Sequence, residues 1–488
     1  MIKETRKIRY RLPTRIIAAS KNVLSKENLL LDKELQIFIE EPKVTTIEAN
    51  GYIVLDFGEE LMGGVRILTS CNKSAQENYR VRIRFGESVS ETSTELGEKG
   101  SCNDHSLRDL VTYLPAMSDQ IVGDTGFRFV RIDNLSDLPL KMKSVYAKEY
   151  YRNLRVKEEL KTKDELIKRI FDVSKRTIDL NIQNRIWDGI KRDRLVWIGD
   201  MGPEVLAILH LYGNIKQIEE SISSAEKAYP LPCWFHFIPS YSIWYLLIVY
   251  DVYAYNKNRR FVKRHLSYFD GVLDQLDAAI DEDGNLHFEN VKQCPSECYF
   301  IDWPSSEEPL EDRVNAHINL LKYVFPKVIE MFTELNLDTN KLNRMLSSLR
   351  KKKIGLPKKK QLLAFYQLVS NDKESYELLI KDGAKGMSTF MSYYILKAVS
   401  NHNFEVAVEM MKEYYGAMLE KGATTFWEDF DLDWVKNSCR VDEFPKENQK
   451  DIHGDFGQYC YQGFRHSLCH GWSAGPVSFL LENQDKLQ

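Results

Sequence analysis

The sequence predicts a multidomain β + α chain, a β-sandwich followed by an all-helical domain. Three observations carry that prediction. At 488 residues the chain exceeds one average domain. Up to residue 155 apolar residues recur with period two, between Gly and Asp turn signals. Beyond residue 160 the spacing turns helical, and Pro and Gly punctuate it. The expected domains are therefore 1–155 and 156–488.

In the first part, YRVRIRF (Tyr79 to Phe85) puts Val81, Ile83 and Phe85 on one face and Arg80, Arg82 and Arg84 on the other. GYIVLDFG (Gly51 to Gly58), GGVRILTS (Gly63 to Ser70) and GFRFVRID (Gly126 to Asp133) are further short strands. In the second part, KDELIKRIFDVSKRTIDLNI (Lys163 to Ile182) sets Leu166, Ile170, Val173, Ile178 and Leu180 on one broad face. Similar patterns near 203–213, 240–256, 262–280, 314–335, 360–370, 387–399 and 404–419 predict about a dozen helices, with Pro239, Pro304, Pro326 and Pro357 among the breakers. On pattern alone, a ring of paired helices and an irregular bundle fit equally well.

Composition narrows the function. Apolar residues at 43% and charged residues at 28% describe a globular chain with a large core. A net charge of −4 gives no electrostatic reason to expect nucleic acid or an anionic membrane as partner. The longest apolar stretch, Tyr241 to Tyr255, is too short to span a bilayer and holds Asp251, so it predicts a buried helix. MIKETRKIRYRLP lacks an apolar signal region, and the eight cysteines are scattered, which together predict a reduced, cytoplasmic protein. Only Cys294 and Cys298 are close, as C-x3-C with no second pair, so no zinc site is expected.

The densest chemistry lies in WDGIKRDRLVWIGDM, Trp187 to Met201. Carboxylates (Asp188, Asp193, Asp200) alternate there with cations (Lys191, Arg192, Arg194), tryptophans and glycines. A pocket for a small hydroxylated ligand needs that mixture. Carboxylates accept from hydroxyls, Arg holds the carboxylates, and Trp supplies a flat apolar wall.

This run resembles the signature of bacterial α-L-rhamnosidases, glycoside hydrolase family 78, in which an Asp, an acidic residue five positions on and an Asp seven beyond share an Arg-rich stretch. Three more segments resemble the family in the same order: YIVLDFGEELMGGVRI (Tyr52 to Ile67), GATTFWEDFD (Gly422 to Asp431) and HSLCHGWSAGP (His466 to Pro476). The resemblance implies an (α/α)6 toroid behind a β-sandwich, with the site at its mouth, and an exo-acting glycosidase that releases a terminal deoxyhexose without metal or cofactor. Asp193 is the expected general acid and Glu428 the expected base. Asp188, Arg192, Asp200 and Trp197 are expected to hold or wall the sugar, and Asp302 and His470 to touch its hydroxyls. Trp234, Trp303, Trp427 and Trp472 are core packing or sugar platforms, with about half expected to touch ligand.

Two points of chemistry accompany the resemblance. Cations beside Asp193 oppose the raised pKa a general acid needs. An extended backbone would turn Arg192 and Arg194 away from it, and Asp188, Asp200 or Glu204 would then take up the arginines. The sequence also departs from the family. Asp193 stands where Glu is common, Gly189-Ile190 replaces Cys-Pro, and the chain is short for the family. Two alternatives stay open at this point, an inverting glycoside phosphorylase and a sugar-binding homologue that has lost catalysis.

Overall fold

The computed structural model describes residues 4–32, 43–291, 299–458 and 462–487. Among the described residues nine strands come first: β1 (Lys7–Arg11), β2 (Arg15–Ala19), β3 (Val23–Leu24), β4 (Thr45–Ile47), β5 (Tyr52–Thr69), β6 (Asn78–Gly86), β7 (Asp109–Pro115), β8 (Asp119–Asn134) and β9 (Leu140–Tyr151). The segments expected as two strands, Gly51 to Gly58 and Gly63 to Ser70, form the single long β5. Its ladder with β8 slips between Asp56 and Leu61. Before the slip β5 pairs with β2, and after it with β9. One continuous antiparallel sheet, ordered β3-β4-β9-β5-β8-β6-β7, thus turns over on itself. Its two halves share one core, with Ile53, Leu55, Val81, Ile83, Phe127, Ile132 and Val145 fully buried. On β6 the alternation holds, although Arg84 is buried beside Asp133 at 3.2 Å.

Twelve α-helices follow among the described residues: α1 (Glu165–Asn181), α2 (Met201–Tyr212), α3 (Lys216–Ala228), α4 (Pro239–Asn256), α5 (Arg259–Ala279), α6 (Leu310–Leu335), α7 (Asn340–Lys351), α8 (Lys360–Ser370), α9 (Lys373–Ile380), α10 (Ser392–Ser400), α11 (Phe404–Glu420) and α12 (Gly475–Glu482). Packing runs from α2 to α4, α6, α8, α10 and α12, then back to α2, so the even-numbered helices close a ring. Further helices lie against these: α5 packs on α4, α7 on α6, α9 on α8, α11 on α10, and α1 on α12 and α11. Sequence pattern follows position. The inner α4 is buried on nearly every side from Pro239 to Val249. The outer α1 and α5 are amphipathic, each started by a side-chain cap, Asp164 and Asn258.

Two sequence expectations change here. Pro326 does not end a helix but sits inside α6, where packing on α4 and α8 holds the helix through the missing N–H. The buried face of α1 runs through Ile167, Ile170 and Phe171, leaving Leu166 exposed. The Cys294 and Cys298 pair lies outside the described residues. No helix is long and apolar enough to cross a membrane among the described residues.

The ring defines a mouth. Loops entering the N-termini of α2, α4, α6, α10 and α12 carry Asp200, His236, Asp302, Ser388 and His470 in turn. The partial positive charge of helix N-termini therefore converges where the acids gather.

Trp244 of α4 is fully buried and packs on Phe365 of α8 (5.7 Å), Phe390 (5.5 Å) and Tyr394 of α10 (5.2 Å). It ties ring members across the interior. Trp244→Ala is expected to lower unfolding stability by about 3–5 kcal/mol, read from urea denaturation. A loss under about 1 kcal/mol would show that the ring does not depend on this contact.

Candidate active site

The loop Asp188 to Leu195 is folded by its own first acid. Asp188 accepts the backbone N–H of Asp193 at 2.8 Å and of Leu195 at 2.9 Å, which curls the chain and presents Asp193. The C-terminal segment locks onto this loop through the Gly471 N–H, which donates to the Asp188 carbonyl at 2.7 Å. Glu428 is set from the same side. Its backbone N–H donates to the Ser467 carbonyl, and its Oε2 accepts the Ser467 N–H, both at 2.9 Å.

Arg192 joins the two halves. Its Nη2 lies 3.3 Å from Asp193 Oδ1 and 3.6 Å from Glu428 Oε1. The nearest oxygens of these acids are therefore no further apart than the two distances laid end to end. Arg192 does not turn away from Asp193, because the curled loop is not extended. Arg194 does turn away, stacking over Trp187 at 4.9 Å and donating to the Asp124 carbonyl at 2.8 Å. The arginines are thus met by Asp124, Asp193 and Glu428, and not by Glu204. The other Asp193 oxygen accepts the Trp197 indole N–H at 3.2 Å, so Trp197 is a donor as well as a wall.

Burial governs the protonation of the acids. It pushes Glu428 up to about 7 against the pull of Arg192. Burial, then the charge of Asp193, raises Asp188 to about 7. Asp200, which accepts the Tyr241 hydroxyl at 2.7 Å, and Glu204 are raised well above the carboxylate range, chiefly by burial. His470 Nε2 lies 3.7 Å from both Asp200 and Glu428, and 3.9 Å from Asp188. Burial and Arg192 hold its imidazole neutral.

A cavity of about 590 Å³ opens beside this cluster. Asp188, Asp193, Trp197, Asp200, Trp303, His470 and Trp472 line it, as do His236, Tyr241, Phe300 and Arg313. Its size suits a small ligand. Glu428 lines a narrow gap behind it together with Asp302, and Trp303 and Trp472 border both spaces. Asp302 is buried, caps its turn through the Trp303 N–H at 2.8 Å and is raised to about 7 by burial. A larger groove of about 760 Å³, at the starts of α1 and α11, lacks such a cluster of buried acids.

Trp234 and Trp427 do not reach either space. Trp234 is fully buried against Phe288 (5.5 Å) and Trp427 against Phe430 (5.5 Å), so both are core packing. Conversely, sequence reading passed over His236 and Tyr241. His236 stacks on Trp197 at 4.2 Å, and burial lowers it to about 4, so it is neutral. Its aromatic neighbours in CWFHF were the only available signal. His105, on a loop of the β domain, also escaped notice, and its Nε2 lies 3.2 Å from Asp193 Oδ1.

Among the described residues two groups have metal-ligand spacing, Glu87-Glu91-His453 and Asp188-Asp200-His470. In the first, the Lys191 ammonium already meets Glu87 at 2.9 Å and Glu91 at 3.3 Å. The second is the cavity wall itself.

Fold and site together define a class, a β domain joined to a ring of paired helices with clustered acids at the mouth. The chain shares this fold with rhamnosidases of known structure. A rhamnosidase from Klebsiella oxytoca with rhamnose bound superposes with a TM-score of 0.76 at 17% identity, over 98% of this chain and 96% of that one. A family 78 rhamnosidase of Bacillus sp. GL1 gives 0.68 at 16% identity, over 93% of this chain and 48% of that one. An α-L-rhamnosidase of Streptomyces avermitilis complexed with L-rhamnose gives 0.65 at 15% identity, over 98% and 44%. No family model and no curated protein sequence matches.

The raised acids carry a stability signature. Glu204 is fully buried, and neither carboxyl oxygen has a hydrogen-bond partner. Its folded pKa lies well above 4.5, so it contributes stability below that value and loses it as pH rises toward the folded pKa. Glu204→Gln is expected to flatten the fall of unfolding free energy with rising pH, by about 1.4 kcal/mol per pH unit above 4.5. Urea titrations at several pH values would read the change. An unaltered slope would mean that Glu204 is not held protonated.

Proposed function

We propose that this chain is a glycoside hydrolase of α-L-rhamnosidase type, with residues 1–155 as a β-sandwich and 156–488 as an (α/α)6 catalytic domain. The observation that carries the reading is the pair of acids, Asp193 and Glu428, sharing the Arg192 guanidinium at 3.3 and 3.6 Å beside a sugar-sized cavity. The four sequence segments and the shared fold support it. The substrate is a carbohydrate carrying a terminal deoxyhexose.

In this reading Asp193 gives its proton to the leaving oxygen as the C–O bond breaks, the electron pair going to that oxygen. Glu428 takes a proton from the water whose oxygen bonds to the anomeric carbon. An inverting enzyme places its carboxyls about 6.5–9.5 Å apart, and the Arg192 bridge admits the lower end of that window. Asp188, Asp200 and His470 face the cavity as hydroxyl partners, while Trp303 and Trp472 offer apolar walls. Asp302 reaches only the rear gap, so any hydroxyl it meets must enter there. No step calls on a metal or cofactor.

Asp193→Asn and Glu428→Gln are each expected to lower hydrolysis of an aryl α-L-rhamnoside by about a hundredfold or more. Undiminished turnover in both folded variants would refute these roles. Proton NMR of the first product is expected to show inverted configuration. Turnover that requires phosphate would favour a phosphorylase instead. Because a base must be ionised and Glu428 sits at about 7, kcat/KM is expected to fall as pH drops through that value. A profile flat down to pH ~5 would contradict Glu428 as the base.

A further inference from the structure

The β domain reaches into the catalytic loop. Ser106 Oγ donates to the Lys191 carbonyl at 2.8 Å, and the Gly126 N–H of β8 donates to the Ile190 carbonyl at 3.0 Å. The Lys191 ammonium is buried between Glu87 and Glu91 and also donates to the His466 carbonyl at 2.8 Å. Between these anchors the loop turns at His105 through left-handed backbone, φ 65°. A non-glycine residue adopts that conformation at a cost, and such costs collect at functional positions. The turn aims the imidazole at Asp193, with Nε2 3.2 Å from Oδ1. Asp104, the neighbour of His105, is held by Arg465.

We infer that His105 is a positioning residue for the acid, supplied to the helical domain's site by the β domain. The inference rests on the hydrolase reading and deepens it. Asp193 is one methylene shorter than the Glu that the resemblance leads one to expect, so its reach is less forgiving and its orientation must be fixed. Trp197 fixes Oδ2 from the cavity side, and Arg192 is shared with Glu428. His105 approaches Oδ1 from the other domain and completes the clamp. Held at that distance, the imidazole Nε2 limits the orientations open to the Asp193 carboxyl, so its proton-bearing oxygen stays directed at the leaving group. No bond to His105 forms or breaks in the reaction; it orients the group that transfers the proton.

The test separates positioning from mere support of the fold. The His105 side chain is 29% exposed, so its removal is expected to leave thermal stability nearly unchanged. His105→Ala is expected to lower kcat/KM about tenfold or more on an alkyl α-L-rhamnoside, whose leaving oxygen needs the proton, and to change it less than about threefold on the 2,4-dinitrophenyl glycoside, which does not. His105→Gln, whose amide reaches a similar point, is expected to recover most of the loss. Equal losses on both substrates, or wild-type rates on both, would overturn the inference while leaving the hydrolase reading intact. Wild-type protein that cleaves neither substrate overturns the reading itself, and the inference with it.

Discussion

Everything at the mouth of the ring depends on how charge is managed in a buried space. Asp193 and Glu428 flank one guanidinium, Arg192, while Asp188, Asp200 and Glu428 surround one neutral imidazole, His470, and Glu204 is buried close to Asp188 and Asp200. Five ionised carboxylates in that volume would cost far more than one arginine returns. Burial resolves the conflict by raising Asp188 and Glu428 to about 7 and Asp200 and Glu204 well above the usual carboxylate range. The inner-helix N-termini ease the remaining charge. The same compression that threatens stability makes proton donors and acceptors available near pH 7.

That arrangement requires both domains. The β domain touches each of the three segments that build the site. Arg128 Nη1 donates to the Gly422 carbonyl at 3.1 Å, Glu60 N–H to Thr424 Oγ1 at 2.9 Å, and Glu87 Oε2 accepts the Leu468 N–H at 2.7 Å. Lys191 passes between Glu87 and Glu91 on its way from the catalytic loop. The strand-rich half is thus a structural wall of the site.

Much of this was legible in the sequence, for identifiable reasons. The change from strands to helices showed because period two and period 3.6 are local signals. Outer helices such as α1 and α5 stood out by amphipathicity, whereas α3, α7, α9 and α12 passed unmarked. Closure of the ring was not legible, because it is made of contacts between elements distant in sequence. Asp193 and Glu428 could be picked out by their motifs, and the structure brings both to Arg192. Aromatic identity alone did not separate Trp303 and Trp472, at the cavity, from Trp234 and Trp427, in the core. His105 and His236 were invisible because irregular loops in left-handed backbone place them, and no periodic pattern marks such positions.

In the proposed reaction Asp193, on the cavity wall, and Glu428, in the adjoining gap, act on the same anomeric carbon from either side of Arg192. A crystal structure with L-rhamnose bound tests it most directly. The sugar ring is expected in the 590 Å³ cavity, its hydroxyls on Asp188, Asp200 or His470, and C1 between the two acids. Sugar bound in another groove, or C1 turned toward neither acid, would contradict it.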